Sequence, residues 1–322
     1  MKGSYHIIVQ NNRLRYEMDI RRNITILRGD SATGKTTLIQ MLTQAMNLGE
    51  NSGIEVRCEK EVRVLGGRDW KVILKSLRQQ IIFLDEENTF IKSQEFAEEV
   101  RRSDCYFVLV TREDLPNLPY AVDEIYGIHT SGRYHDTRRV YQELYRIYSA
   151  EEFEAPVIPD RIVVEDSGAG YDFFSNVCRE KQVRCESAGG KSGLKKKADN
   201  CGDGITVMIA DGAAIGPEMN ELFQLMQRYP NVKCYLPESF EWLILKSGLI
   251  NGSEIAEILK RPEDFIESSL FFSWEQFFTR LLIESTSGTF QQYQKAKLNS
   301  YYLQDKIKKS ILEIIEGVKF SE

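Results

Sequence analysis

Residues 29–37 read Gly29-Asp30-Ser31-Ala32-Thr33-Gly34-Lys35-Thr36-Thr37 and match the phosphate-loop pattern G-x-x-x-x-G-K-[ST] at every required position. A short β-prone run, Ile24-Thr25-Ile26-Leu27, comes before the loop, and apolar residues at helical spacing follow it. Strand, loop and helix in this order are the context in which the pattern binds nucleotides. The stretch therefore predicts an α/β domain that binds a nucleoside triphosphate.

The residue types explain how this loop would hold the phosphates. Gly29 and Gly34 allow the backbone to curve so that its N–H groups face the ligand, and the following helix adds its positive N-terminal end. Lys35 is expected to reach the β- and γ-phosphates, and the Thr36 hydroxyl to bind Mg²⁺, which prefers hard oxygen ligands. All nine residues from 29 to 37 are predicted to form the nucleotide site.

A second motif combines a buried strand with two acids. The run Ile81-Ile82-Phe83-Leu84 predicts a parallel strand, and Asp85 and Glu86 follow at its carboxyl end. This arrangement resembles a Walker B motif, which implies that Asp85 holds Mg²⁺ through water. Glu86 would then be a catalytic residue that orients the attacking water. The alternative is a buried strand that ends in solvated acids.

A third apolar run, Tyr106-Phe107-Val108-Leu109-Val110, ends at Thr111 and Arg112. Related ATPases place a polar sensor of the γ-phosphate at this point. Two interpretations of Arg112 stay open: a sensor, or one half of a surface ion pair with Glu113 or Asp114. The chain contains no N-K-x-D stretch, which GTP-binding proteins usually need, so the predicted nucleotide is ATP.

The chain before the phosphate loop predicts two strands, residues 5–10 and 14–20, around the turn-prone Asn11-Asn12-Arg13. This opening resembles that of ABC and SMC-like ATPases. Those families carry an L-S-G-G-Q-like signature ahead of their second acidic motif, and the short interval between Lys35 and Asp85 contains none. The resemblance therefore covers the nucleotide-binding core and not an ABC helical subdomain.

Apolar periodicity is lost over residues 149–156, and Pro159 follows. The expected domains are thus residues 1–150 for the phosphate-loop ATPase, 151–160 for a linker and 161–322 for a second domain. Strands that end in acids, followed by helical stretches beyond Trp242, predict a second α/β domain with a helical C-terminal part.

Two predicted strands of this second domain lead into acids. Glu165 follows Arg161-Ile162-Val163-Val164, and Asp211 follows Ile205-Thr206-Val207-Met208-Ile209-Ala210. The pattern resembles a TOPRIM domain, whose first strand carries a glutamate and whose later strand delivers a D-x-D pair. The resemblance implies that Glu165 and Asp211 are catalytic residues and ligands of Mg²⁺ or Mn²⁺. A plain α/β domain whose strands end in acids is the alternative.

The match departs from the TOPRIM pattern at three positions. Asp166 stands where glycine is usual, the second acid of the first motif comes late, at Asp172, and Ala213 replaces the second aspartate of D-x-D. Glu218 follows one or two helical turns later and is a candidate replacement as metal ligand. An alanine at a ligand position is expected to leave a site for one metal ion or none.

The domain order resembles that of the overcoming-lysogenization-defect (OLD) family, which joins an ABC-like ATPase to a TOPRIM nuclease. Glu241 takes the place of the acid in that family's E-N-Y-L segment. The resemblance covers residues 20–115 and, through weaker motifs, 160–245. It implies an ATPase that controls a metal-dependent DNA nuclease, with a role in phage defence. The alternative is an ATP-dependent switch or binding module with a degenerate, non-nucleolytic TOPRIM-like domain.

The 322 residues carry a net charge of −6, so contact with nucleic acid would need a local basic patch. Residues 179–197 are the candidate DNA-binding segment, and their basic residues are Arg179, Lys181, Arg184, Lys191, Lys195, Lys196 and Lys197. Gly189, Gly190 and Gly193 predict a flexible loop here. Such a loop would lie along a phosphate backbone or, equally, be a surface loop kept soluble by lysines.

Other classes of protein are excluded by composition. An apolar run of about 18 residues and a signal peptide are both absent, which predicts a cytoplasmic protein without a membrane segment. The six cysteines form no C-x-x-C pair and there are three histidines, so neither a zinc site nor a disulfide framework is indicated. Apolar repeats over residues 298–318 predict packing on the domain, with a homodimer or partner-protein contact as the alternative.

Overall fold

The computed structural model describes residues 1–29, 34–131, 139–149, 155–198, 202–250 and 252–320. They form a mixed α/β architecture with a large mixed sheet and a smaller parallel sheet, which confirms the predicted fold class at that level. The chain divides into two compact units, Met1–Tyr148 with Arg261–Ser273 and Ser149–Lys260 with Trp274–Glu322. The predicted nucleotide-site residues Asp30, Ser31, Ala32 and Thr33 lie outside the described residues.

The first unit is built on one sheet. Its described strands are β1 (Tyr5–Gln10), β2 (Leu14–Ile20), β3 (Ile24–Leu27), β4 (Glu55–Arg57), β5 (Val62–Val64), β6 (Ile81–Leu84), β7 (Tyr106–Val110), β8 (Ile125–Thr130) and β9 (Val140–Arg146). They pair in the order β4-β1-β2-β9-β8-β3-β7-β6-β5. The strands β3, β7, β6 and β5 run parallel, and every residue of β3, β6 and β7 is buried. Continuous apolar runs are what parallel strands covered on both faces require.

The described helices of this unit are α1 (Lys35–Leu48), α2 (Trp70–Ser76) and α3 (Gln94–Arg102). α3 begins after Ser93, because the Ser93 hydroxyl accepts the Phe96 N–H at 3.1 Å and caps the helix. α2 ends at Ser76. Leu77 is extended and Gln79 has a φ of 53°, so the backbone leaves the helix there.

The segment Arg261–Ser273 belongs to the first unit, although the sequence-based boundaries place it in the second domain. The N–H of Gly3 donates to the carbonyl of Glu263 at 2.6 Å, and the Asn23 amide donates to the carbonyl of Phe272 at 2.8 Å. These partners lie far apart in sequence. No local pattern of residues therefore marks the segment as part of the first unit.

The second unit contains a parallel sheet. Its described strands are β10 (Arg161–Val164), β11 (Arg184–Ser187), β12 (Thr206–Ile209) and β13 (Val232–Tyr235), paired in the order β11-β10-β12-β13. Its described helices are α4 (Ala169–Glu180), α5 (Lys191–Ala198), α6 (Met219–Arg228), α7 (Phe240–Lys246), α8 (Ser253–Lys260), α9 (Trp274–Thr286) and α10 (Asp305–Leu312). All neighbouring strands of this sheet are parallel.

The basic segment is not the flexible loop that its glycines predict. Within the described residues it comprises β11 and α5, and Leu194 of α5 is buried. Gly193 serves close packing, because a Cβ there would lie 1.9 Å from the carbonyl oxygen of Ala188. The glycine therefore lets a helix approach the preceding turn instead of supplying flexibility.

The C-terminal apolar repeats pack within the second unit. Ile311, Ile315 and Val318 are buried, and Val318 forms a parallel bridge with Val157. This burial agrees with the packing interpretation of residues 298–318. Among the helices described, none combines the length and the apolar character needed to cross a bilayer.

Candidate functional site

The phosphate loop of the first unit is bounded by two glycines in unusual conformations. Gly29 has a φ of 134° and Gly34 a φ of 88°, both in the region that favours glycine. Lys35 is the first residue of α1, and its ammonium donates to the carbonyl oxygen of Gly29 at 2.6 Å. The side chain of Lys35 thus folds back towards the loop and is buried.

The start of α1 suits an anionic ligand. Gly34 caps the helix without a side-chain acceptor, and the first turn contains no acidic residue. The hydroxyl of Tyr16 donates to the Gly34 carbonyl oxygen at 2.9 Å, which holds the end of the loop against β2. Thr36 is exposed at this helix start, so its hydroxyl is accessible from solvent. The first N–H groups of a helix carry partial positive charge and attract anions.

The carboxyl ends of β3, β6 and β7 are neighbours in the sheet. β7 pairs in parallel with β3 on one side and with β6 on the other. The residues that follow the three strands therefore lie at the same edge of the sheet, where open α/β sheets bind ligands. The N–H of Thr111 donates to the Leu27 carbonyl oxygen at 3.1 Å, which continues the pairing towards the loop.

Arg112 pairs with the candidate catalytic acid. Its Nε lies 3.3 Å from Oε1 of Glu86, and both side chains are partly exposed. The alternative interpretation pairs Arg112 with Glu113 or Asp114. Both acids have other partners in the structure: Glu113 pairs with Lys92 at 2.6 Å and Asp114 with Arg28 at 2.7 Å. Arg112 is thus directed at Glu86, which follows β6.

The residues expected to bind Mg²⁺ in this unit both carry oxygen donors. Asp85 turns one carboxylate oxygen towards the Glu86 N–H, which donates at 2.7 Å, and its carbonyl oxygen accepts the Asn88 N–H at 3.1 Å. These bonds hold the turn after β6, and the Thr36 hydroxyl is exposed at the start of α1. Oxygen donors of this kind are the ligands that Mg²⁺ prefers.

In the second unit the structure brings together Glu165 and Asp211. They follow the adjacent parallel strands β10 and β12, whose last residues, Val164 and Ile209, are in register. The N–H of Asp211 donates to Oε2 of Glu165 at 3.3 Å. The two acids therefore lie together, as the TOPRIM resemblance implies, while their catalytic role stays a prediction.

A cavity of about 20 Å³ lies beside these acids, and its lining includes the apolar side chains of Phe174, Phe240 and Leu243. That volume has room for about one water molecule. Burial raises the pKa of Glu165, although the charge of Lys191 opposes the shift. Burial also raises the pKa of Asp211 well above its ordinary value, and the neighbouring carboxylates of Glu275, Glu241 and Glu165 raise it further.

Three residues at this site escaped sequence analysis: Glu275, Tyr293 and Lys295. The ammonium of Lys295 donates to Oε1 of Glu275 and lies 3.9 Å from Oε1 of Glu241. The hydroxyl of Tyr293 donates to the same Glu241 oxygen at 2.9 Å. No motif could have marked these residues, because they lie on elements that follow the predicted TOPRIM strands and approach them only in three dimensions.

The other acids of the TOPRIM-like motifs bond backbone groups. Asp166 also lines the cavity and accepts the Tyr171 N–H of α4 at 2.9 Å, and Asp172 accepts the Leu298 N–H at 3.0 Å, which ties the first turn of α4 to a distant segment. Glu218 belongs to the turn Gly216–Glu218 before α6, and the described residues that line the cavity do not include it. Ala213 is buried and brings no carboxylate.

This arrangement does not fit the divalent cation centre that the TOPRIM resemblance implies. Two-metal chemistry needs several carboxylates around ions roughly 4 Å apart. Here Ala213 lacks the carboxylate, Glu218 is displaced and the Lys295 ammonium stands against Glu241 and Glu275. Among the described residues, no group of three or more His, Cys, Asp or Glu side chains has the geometry to hold a metal ion.

The basic segment also differs from a free cationic patch. Lys197 pairs with Glu186 at 2.8 Å and Lys195 with Glu221 at 3.0 Å. The ammonium of Lys191 donates to the Ala214 carbonyl oxygen at 2.5 Å. Two of the lysines expected to contact DNA, Lys195 and Lys197, are therefore neutralised by acids of the second unit.

No protein-family model matches this chain, and no curated protein matches it in sequence.

We predict that Asp211→Asn stabilises the protein at high pH. The raised pKa of Asp211 means that the folded state keeps a proton that the unfolded chain loses, so wild-type stability falls as pH rises from the unfolded towards the folded pKa. The amide removes this cost and still accepts the Phe240 N–H, which donates to Asp211 at 3.3 Å. The melting temperature of the variant should exceed that of wild type at pH 8, and the excess should shrink towards pH 4.

The control for this prediction is Asp203→Asn, which changes an exposed aspartate of the same unit. It should leave the melting temperature within about 1 °C of wild type at both pH values, as surface substitutions usually do. A difference between Asp211→Asn and wild type that is the same at pH 4 and pH 8 would contradict the assignment.

Proposed function

We propose that this protein binds and hydrolyses ATP at the phosphate loop of its first unit. The observation that carries the proposal is the parallel pairing of β3, β7 and β6. This pairing supports a common site for the loop that follows β3, the Thr111-Arg112 pair that follows β7 and the acids that follow β6. Loop, sensor and acids at one sheet edge are the parts that phosphoryl transfer needs.

Lys35 is the main ligand of the triphosphate in this proposal. Its ammonium is paired with the carbonyl of Gly29 at 2.6 Å and would exchange that oxygen for oxygens of the β- and γ-phosphates. The N–H groups at the start of α1 would add donors to the phosphates. Thr36 and Asp85 would hold Mg²⁺, which neutralises charge that develops on the phosphates.

Glu86 and Arg112 have different roles in this proposal: Glu86 orients the attacking water and Arg112 contacts the γ-phosphate. The guanidinium of Arg112 pairs with the Glu86 carboxylate at 3.3 Å. A triphosphate competes for this guanidinium, because a phosphate group carries more negative charge than one carboxylate. Transfer of Arg112 to the γ-phosphate would free Glu86 to orient the attacking water. Arg112 thus acts as the sensor in this proposal.

For the second unit we propose a non-nucleolytic role. The adjacency of Glu165 and Asp211 supports the TOPRIM resemblance, but Ala213 lacks one expected metal ligand and Glu218, its candidate replacement, does not line the cavity. Metal-dependent cleavage of DNA needs those ligands. The ATP-dependent switch or binding module is therefore favoured over the nuclease.

Lys35→Ala should weaken ATP binding. Hydrogen bonds to charged groups contribute about 1.5–3 kcal/mol, which predicts a loss of affinity of roughly 10- to 100-fold. Isothermal titration calorimetry with Mg-ATP measures the effect. Lys75→Ala, which removes an exposed lysine of the same unit, is the control and should bind as wild type does. Equal affinity in Lys35→Ala and wild type would refute the proposed site.

Glu86→Gln should bind ATP with wild-type affinity and hydrolyse it slowly. General-base groups typically contribute about 10²- to 10⁴-fold to the rate, so kcat should fall by about 100-fold or more. Phosphate release under saturating ATP measures kcat. Glu87→Gln changes the adjacent, exposed acid and should keep the wild-type kcat. A Glu86→Gln variant that turns over at the rate of the Glu87→Gln control would exclude Glu86 from the reaction.

A further inference from the structure

The acidic site of the second unit contains more carboxyl groups than its sequence motifs predict. Glu165 and Asp211 meet at the sheet edge, and the charges of Glu241, on α7, and Glu275, on α9, act on Asp211. The Glu241 side chain is 2% exposed. A buried ionised carboxylate is costly unless a positive charge or hydrogen bonds compensate it. Glu241 and Glu275 have such a positive charge beside them.

We propose that the ammonium of Lys295 is the resident cation of this site and takes the place of the divalent metal ion that a TOPRIM centre would hold. The ammonium donates to Glu275 and lies 3.9 Å from Glu241, so one point charge faces two carboxylates. The inference rests on the second unit alone and does not depend on ATP hydrolysis in the first.

The electrostatics of Lys295 agree with this role. Burial alone would lower its pKa, but the carboxylates of Glu241, Glu275 and Asp211 outweigh burial and raise the pKa above its ordinary value. Lys295 therefore stays charged at neutral pH. The charge of Lys191 acts on Glu165, and the Lys191 ammonium donates to the Ala214 carbonyl oxygen. Tyr293 adds a hydrogen bond to Glu241.

The backbone around Lys295 is fastened to the turn that carries Glu165. The Ala169 N–H donates to the Lys295 carbonyl oxygen at 2.9 Å, and the Leu298 N–H donates to Asp172 at 3.0 Å. A Cβ on Gly168 would lie 2.4 Å from the Lys295 carbonyl oxygen, so the two segments are in close contact. These contacts preorganise the lysine. Asp172, the late acid of the motif, therefore holds the backbone of this segment and does not need to bind a metal ion.

The contact of one ammonium with two carboxylates predicts a specific consequence of removing the charge. Lys295→Met leaves Glu241 and Glu275 without their ammonium, and carboxylate oxygens without a cation are ligands that hard divalent ions prefer. The variant should therefore gain a binding site for Mn²⁺ that wild type lacks. Its melting temperature should fall relative to wild type and recover when Mn²⁺ is added.

The test is a titration of the full, nucleotide-free chain with MnCl₂, in which electron paramagnetic resonance measures free Mn²⁺. Lys295→Met should bind one more Mn²⁺ per chain than wild type, or bind it at least about tenfold more tightly, because a neighbouring positive charge is lost. Adding Asp211→Asn to that variant should abolish the gain. Lys297→Met is the matched control: it removes an exposed lysine two residues away and should behave as wild type does.

Two results would overturn the proposal. One is a wild-type chain that binds Mn²⁺ as tightly as Lys295→Met and loses this binding in Asp211→Asn. The other is a folded Lys295→Met chain, with wild-type circular dichroism, that gains no Mn²⁺ site. If Lys295→Met does not fold, Lys295→Gln keeps hydrogen-bond donors without the charge and is titrated in its place. Because nucleotide is absent, these results are distinct from any failure of the proposed ATPase.

Discussion

Parallel pairing of buried strands is the constraint on which both candidate sites depend. In the first unit β7 lies between β3 and β6, and in the second β10 lies beside β12. Each strand is a buried and mostly apolar run, and the acids of both candidate sites follow the strand ends. Parallel direction then collects those ends at one edge of the sheet. The same principle brings Glu86 and Arg112 together in one unit and Glu165 and Asp211 in the other.

The two sites differ in how charge is compensated. In the first unit the cationic groups, Lys35 and Arg112, are held by a backbone carbonyl and by one partly exposed carboxylate. Such partners are readily exchanged for phosphate oxygens. In the second unit Lys295 faces the nearly buried Glu241 and its neighbour Glu275. Leaving the nearly buried Glu241 carboxylate without a cation is costly, so this arrangement favours a resident cation over an exchangeable one, although the Lys295 side chain itself is 41% exposed.

Local sequence patterns predicted those parts of the structure that depend on neighbours in the chain. The strands β1, β2, β3, β6, β7 and β10 have the predicted bounds, because each is an uninterrupted or alternating apolar run. α5 was predicted as a loop because of its glycines, since Gly193 disfavours a helix, and burial of Leu194 in the folded unit overrides that preference. The location of Arg261–Ser273, and of Lys295 among the acids, depends on contacts across long stretches of sequence. Periodicity and motifs carry no information about such contacts.

The central claim is that this chain has its metal-dependent site at the phosphate loop and an internal ammonium in its second acidic site. Anomalous diffraction from crystals grown with Mn²⁺ and a non-hydrolysable ATP analogue tests both parts in one measurement. The account predicts a manganese peak within bonding distance of the Thr36 hydroxyl and none within bonding distance of Glu165 or Asp211. A manganese peak between Glu165 and Asp211, with Lys295 displaced from Glu275, would contradict it.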